Sequence, residues 1–158
     1  MKMNTTKRRT AWLMLLTLGL LVLAGCAQQN GSGASATGAA VTVFKDASCG
    51  CCSGYIAELQ RQGFAVDTRS MPNMNLVKAD FGIPAGMQSC HTSKIGNYFV
   101  EGHVPIEAIR KLLAEQPAIE GIMLPRMPSG APGMPGLKEG PFIVQALSQG
   151  KVSEFMRV

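Results

Sequence analysis

The chain has 158 residues, a length that suits one domain. Hydrophobic residues make up 46% and charged residues 16%, which excludes a disordered polyelectrolyte. The formal net charge is +5, but Lys2, Lys7, Arg8 and Arg9 precede a long apolar run, and the rest of the chain carries 11 basic against 10 acidic residues. No concentrated basic face remains, so nucleic-acid binding is not expected.

Ala11 to Ala24 is an apolar run of 14 residues behind a positively charged start. A membrane-spanning helix needs about 20, so residues 1–25 read as a signal peptide. Leu23-Ala24-Gly25-Cys26 resembles the lipobox of bacterial lipoproteins. That resemblance implies a lipid-bearing Cys26 at the mature start and a membrane anchor through the lipid. Ala27 in place of Asp implies, by the Gram-negative sorting pattern, the outer membrane. Residues 26–40 are small and polar, a flexible tether. The folded part is expected at 41–158.

Val41 to Lys45 is short and β-branched, and reads as a strand. Cys51 to Gln62 reads as a helix stopped by Gly63, and Phe64 to Thr68 as a second strand. Asn75 to Phe81 reads as a short helix ended by Gly82. Thr92 to Ile95 and Tyr98 to Glu101 flank Gly96-Asn97, a hairpin turn signal. Pro105 to Glu115 is an amphipathic helix whose apolar face carries Ile106, Ile109, Leu112 and Leu113. The order β-α-β-α-β-β-α resembles the thioredoxin-like one, an α/β class with a central mixed sheet and helices on both faces. A C-terminal extension follows over 117–158. Residues 117–141 hold six of the nine prolines, five glycines and three methionines, and read as a functional or disordered loop. Phe142 to Leu147 and Val152 to Val158 flank Gln149-Gly150 and read as a closing hairpin.

Cys49-Gly50-Cys51-Cys52 places three thiols between the first strand and the first helix. A helix N-terminus there stabilises thiolate. Cys52 shares a helical face with Ile56 and Leu59 and should point inward, with Cys49 and Cys51 nearer the surface. Cys90 precedes the third strand, whose start lies beside the first helix in such a frame, so four thiols converge. Three disulfide pairings are open: Cys49–Cys52 with Cys51–Cys90, Cys49–Cys90 with Cys51–Cys52, and Cys49–Cys51 with Cys52–Cys90. None staples the two ends of the domain, as a stabilising bridge would by closing a long loop. Clustered thiolates select soft metals. C-x-C-C is cramped for one tetrahedral zinc ion, whereas Cu(I) accepts two or three thiolates and tolerates bridging sulfur, which points to a multinuclear thiolate-bridged Cu(I) cluster. His91, His103, Met123, Met127 and Met134 are the remaining candidate soft ligands. On a regular strand His91 faces away from Cys90, so it joins the site only if residue 90 lies in a loop. A capping role at the helix that follows competes for His103, and a hydrophobic latch for the three methionines.

Thr42-Val43-Phe44-Lys45, Cys49-Gly50-Cys51-Cys52, Ser89-Cys90-His91-Thr92 and Val100-Glu101-Gly102-His103-Val104-Pro105 together resemble the CopG-type copper-resistance proteins. So does the stretch Gly130-Ala131-Pro132-Gly133-Met134, which is similar to the family's C-terminal extension. The resemblance implies a periplasmic copper-binding protein with Cys49, Cys51, Cys52 and Cys90 as ligands. It also implies exchange between Cu(I) and Cu(II), and copper handling of this kind would pass the ion to a copper export system or chaperone as partner. A second reading of the same cysteines is a thiol–disulfide oxidoreductase with Cys49 as nucleophile and Cys52 as resolving thiol.

Overall fold

The computed structural model describes residues 38–158. The signal peptide, Cys26 and the tether up to residue 37 lie outside the described residues. Gly38 donates to the Gly63 carbonyl and the Ala39 carbonyl accepts from Ala65. The last tether residues are therefore already tied to the folded part.

Seven strands and three α-helices follow in the order β1 (Ala40–Lys45), α1 (Gly50–Arg61), β2 (Ala65–Ser70), α2 (Met74–Asp80), β3 (His91–Ile95), β4 (Tyr98–Glu101), α3 (Ile106–Glu115), β5 (Gly121–Met123), β6 (Ile143–Ser148) and β7 (Lys151–Arg157). A single 3-10 turn, Ala85–Met87, precedes β3. The strands form one mixed sheet in the order β2-β1-β3-β4-β5-β6-β7. β1 is parallel to β2 and β4 to β5, and the other neighbours are antiparallel.

Alternation along the strands gives the sheet two unlike faces. Val41, Val43, Ile95, Val100 and Ile122 point to one face and pack with Tyr55 and Leu59 of α1 and Ile109 and Leu112 of α3. Phe99, Met123 and Leu147 point to the other and form a smaller cluster with Ile83, Phe81 and Met87. Phe81 bridges that second face, its ring 6.1 Å from both Phe44 and Phe99. The larger core holds α3 because four apolar residues at helical spacing have a β-branched surface to cover.

The expected loop over 117–141 contains a strand. Gly121–Met123 is fully buried and pairs with both β4 and β6. It joins the hairpin β6–β7 to the rest of the sheet, so the extension continues the sheet. The remainder, from Leu124 to Pro141, crosses back over α1 as a strap. There the Gly54 and Gly133 backbones touch: a Cβ on Gly133 would stand 2.3 Å from the Tyr55 amide nitrogen, and one on Gly54 2.7 Å from the Gly133 carbonyl oxygen. Gly133 also needs its left-handed φ of 77°.

Candidate metal centre

The turn that delivers the first three cysteines is built by Asp46. Its carboxylate accepts from the Ser48 amide at 2.8 Å and the Ser48 hydroxyl at 2.5 Å, and its carbonyl accepts from the Cys49 amide. Those Ser48 bonds hold the Asp46 carboxyl below the usual carboxylate range. Cys49 is the cap immediately before α1, and Cys51 and Cys52 lie in its first turn. Cys52 is fully buried while Cys49 and Cys51 are half-buried, as the helical spacing predicts. Cys49 and Cys52 are joined as a disulfide, and Cys51 and Cys90 are free thiols. Of the three open pairings, only this first bond forms.

Cys90 lies in the bend before β3, not on the strand. Its Sγ therefore turns to the side of His91 and stands 3.2 Å from His91 Nδ1 and 3.2 Å from His103 Nε2. It is also 4.0 Å from Cys51 Sγ, which is 3.5 Å from Cys49 Sγ. Two groups of ligand atoms result, each lying within 4.8 Å: the four cysteines, and Cys90 with the two histidines. Cys90 belongs to both.

Both imidazoles are fully buried and neutral at ordinary pH. Burial lowers the His91 pKa to about 3, helped by repulsion from the charge His103 would carry if protonated and from Lys78. Burial also lowers that of His103, against a backbone hydrogen bond that raises it. His103 Nδ1–H donates to the Pro132 carbonyl at 2.7 Å, so Nε2 carries the lone pair that faces Cys90. Among the described residues, His91 Nε2 is buried without a hydrogen-bond partner. Tyr55 packs against both rings, 4.7 Å from His91 and 5.3 Å from His103, with its hydroxyl anchored on the Val104 carbonyl. The Cys90 thiol is pushed up to about 12, first by burial and then by Cys51.

The strap adds one more soft atom. Met127 Sδ is 3.8 Å from Cys51 Sγ, and the residue is half exposed. Arg126 before it has a left-handed φ of 68°, and its carbonyl accepts from the Ser89 hydroxyl at 2.5 Å. Met127 also lines a groove of about 450 Å³ with Pro125, Pro141 and Phe142. Met123 and Met134 are placed otherwise. Met123 is a core residue of the smaller apolar cluster on the second face, because it lies on β5. Met134 packs against the larger cluster as an apolar latch. His103 caps no helix: the residue that begins α3 is Pro105, with no side-chain cap.

The donor set fits a soft ion. A thiolate bond of about 2.3 Å lets one ion span sulfurs up to about 4.6 Å apart, and the Cys49–Cys51 and Cys51–Cys90 separations fall inside that span. Clustered thiolates and a thioether are the ligands that select soft metals, Cu(I), zinc and iron–sulfur centres among them. Cys49 and Cys52 become donors only when their bond is reduced.

Three groups escaped the sequence reading. Tyr55 is three residues beyond Cys52 on the inner face of α1, and that spacing was available as a signal. Lys78 and Glu101 form a buried ion pair, 5% and 0% exposed, and nothing in the spacing of the two residues announces it.

A family model described as "Protein of unknown function, DUF411" matches residues 87–134, the stretch with Cys90, both histidines and most of the strap. No curated protein matches the chain. Two solved structures, described as "Copper resistance protein copG", form 2 and form 1, are each 39% identical to it. Each comparison covers 77% of this chain and 98% of the other, with TM-scores of 0.72 and 0.71. The chain belongs to the CopG copper-resistance family. The CopG likeness agrees with the soft donor set of the site.

Proposed function

We propose that this protein takes Cu(I) as its cargo and holds it on Cys49, Cys51, Cys52 and Cys90, with His91, His103 and Met127 completing the coordination. The observation that carries the reading is the convergence of four Sγ atoms within 4.8 Å, one of them shared with two neutral imidazoles. The first four strands, in the order β2-β1-β3-β4 with three helices around them, support a thioredoxin-like frame. The lipobox supports a lipoprotein on the periplasmic side of the outer membrane, where a copper export system or chaperone receives the ion. The test is anaerobic loading of the reduced protein with Cu(I) against a strong chelator. More than one Cu(I) retained per chain, and lost in Cys90→Ser, supports the reading. No retained copper overturns it.

The Cys49–Cys52 bond favours a redox role in addition. Two Cu(II) ions each take one electron from the reduced pair. The two sulfurs lose two electrons and form the disulfide, two thiol protons leave to solvent, and the two Cu(I) ions are left to Cys51, Cys90, the two imidazoles and Met127 until Cys49 and Cys52 are reduced again. A dithiol reductant resets the pair. The competing oxidoreductase reading uses the same bond without copper. Disulfide exchange catalysed by metal-free protein would favour it; Cu(II) reduction at two ions per chain, absent in Cys49→Ser, favours the copper reaction.

A further inference from the structure

We infer that Glu101 is a positioning residue for the metal centre and acts from the opposite face of the sheet. The inference rests on the copper reading above and concerns what holds the ligands in place. Glu101 is fully buried on the face that carries α2. Its Oε1 accepts from the Ser89 amide at 2.6 Å and from Lys78 Nζ, and its Oε2 accepts from the Thr92 hydroxyl at 2.6 Å. Lys78 Nζ also reaches Thr92 Oγ1 at 3.4 Å.

Ser89 and Thr92 flank the pair Cys90-His91. On a regular strand residue 90 would point with residue 92, toward α2, and away from His91. The bend at Cys90 brings its thiol to the face of His91. One carboxylate that grips the residues on both sides of that pair, one per oxygen, keeps the bend closed. The same residue begins the second ligand segment: Gly102 donates to the His91 carbonyl at 3.0 Å, and His103 follows. Gly102, at φ 77°, leaves no room for a side chain, since a Cβ would stand 2.7 Å from Ser89 Cβ. Glu101 thus joins the segments that carry Cys90, His91 and His103. Lys78 makes this possible by balancing the buried charge. A buried ion pair is poor evidence of stability, and its better-attested use is to specify one arrangement.

Two double variants separate positioning from charge. K78M/E101Q removes both charges but keeps the grip, because an amide can accept from Ser89 and donate to Thr92. K78M/E101L removes both charges and the grip. With the reduced full chain, Cu(I) affinity is read by chelator competition, the nitrogen-to-sulfur ratio around copper by X-ray absorption, and the alkylation rate of Cys90 in metal-free protein by mass spectrometry. Expected is near-native affinity for K78M/E101Q. For K78M/E101L, affinity falls about 10- to 100-fold, the usual cost of losing a residue that orients ligands, with fewer nitrogen neighbours and faster Cys90 alkylation. Equal behaviour of the two variants overturns the inference. If K78M/E101L does not fold, Thr92→Val releases one side of the grip without touching a charge. It should weaken copper retention, and Thr92→Ser should restore it; native affinity in Thr92→Val overturns the inference. If the unsubstituted protein retains no Cu(I), the copper reading fails, while Cys90 alkylation still decides whether Glu101 positions the thiol.

Discussion

The Cys90 thiol lies 3.2 Å from His103 Nε2 although thirteen residues separate them. The contact depends on a bend at one end and a carbonyl at the other: residue 90 leaves the strand before β3 begins, and Pro132 of the strap orients the His103 ring. Cys90 is the atom common to the sulfur group and the nitrogen group. Replacing it with Ser should therefore cost both sets of contacts, lowering Cu(I) stoichiometry and removing copper–nitrogen scattering together. Cys51→Ser should lower stoichiometry but keep the nitrogen contribution. X-ray absorption on the two variants checks this, and nitrogen scattering retained in Cys90→Ser would contradict it.

Met127 and Met123 make a matched pair. Met127→Leu removes a thioether 3.8 Å from Cys51 at a half-exposed position, so it should weaken copper retention and leave the melting temperature nearly unchanged. Met123→Leu conserves volume in a closed core and should cost less than about 1.5 kcal/mol with copper retention intact. Thermal unfolding and chelator competition on both variants read the contrast.

Acid should act on the metal-free protein through His91. Its folded pKa of about 3 lies below the usual 6.5 because burial rejects the imidazolium. The unfolded chain takes the proton first as pH falls, so the stability is present above about 6.5 and is lost toward 3, at about 1.4 kcal/mol per pH unit for one group. Urea midpoints at several pH values measure the slope, and a flat profile between pH 6.5 and 4 would refute it.

Copper retention should also weaken as pH falls. The metal-free Cys90 thiol holds its proton up to about 12, and a copper ion binds the thiolate. Loading must therefore release the Cys90 proton, which a pH-indicator titration in weak buffer detects. Loading without proton release would exclude Cys90 as a ligand.

Gly133→Ala should be costly beyond its size. The added Cβ meets the Tyr55 amide at 2.3 Å from a left-handed backbone, and such overpacking costs about 1–3 kcal/mol. The strap must also lift, so Cu(I) affinity should fall with stability. Gly140→Ala, in open space on the same strap, is the control.

Much of the fold was legible because its signals are local. The α3 stripe of Ile106, Ile109, Leu112 and Leu113 and the Gly96-Asn97 turn both lie within a window where periodicity or turn chemistry decides. β5 was hidden because three buried residues in a Pro/Gly-rich run show no alternation; its identity comes from pairing with β4 and β6, which is a tertiary fact. The cysteine turn was legible from spacing. The role of Met123 was not, since a thioether in a loop-like sequence and one in a core look the same until the strand is found. Lys78 and Glu101 stand 23 residues apart, and single charges on short amphipathic elements are usually solvated.

The contact between Gly54 and Gly133 has a consequence for how the thiols are covered. It is made by backbone against backbone, with no group to titrate and no counterion to displace. Salt and acid therefore find nothing to act on at the Gly54–Gly133 contact itself, even where they reach the thiols or the His103 imidazole that holds Pro132 beside it. Side-chain volume at two positions is what moves it, so the height of the cover over the cysteines is a steric quantity.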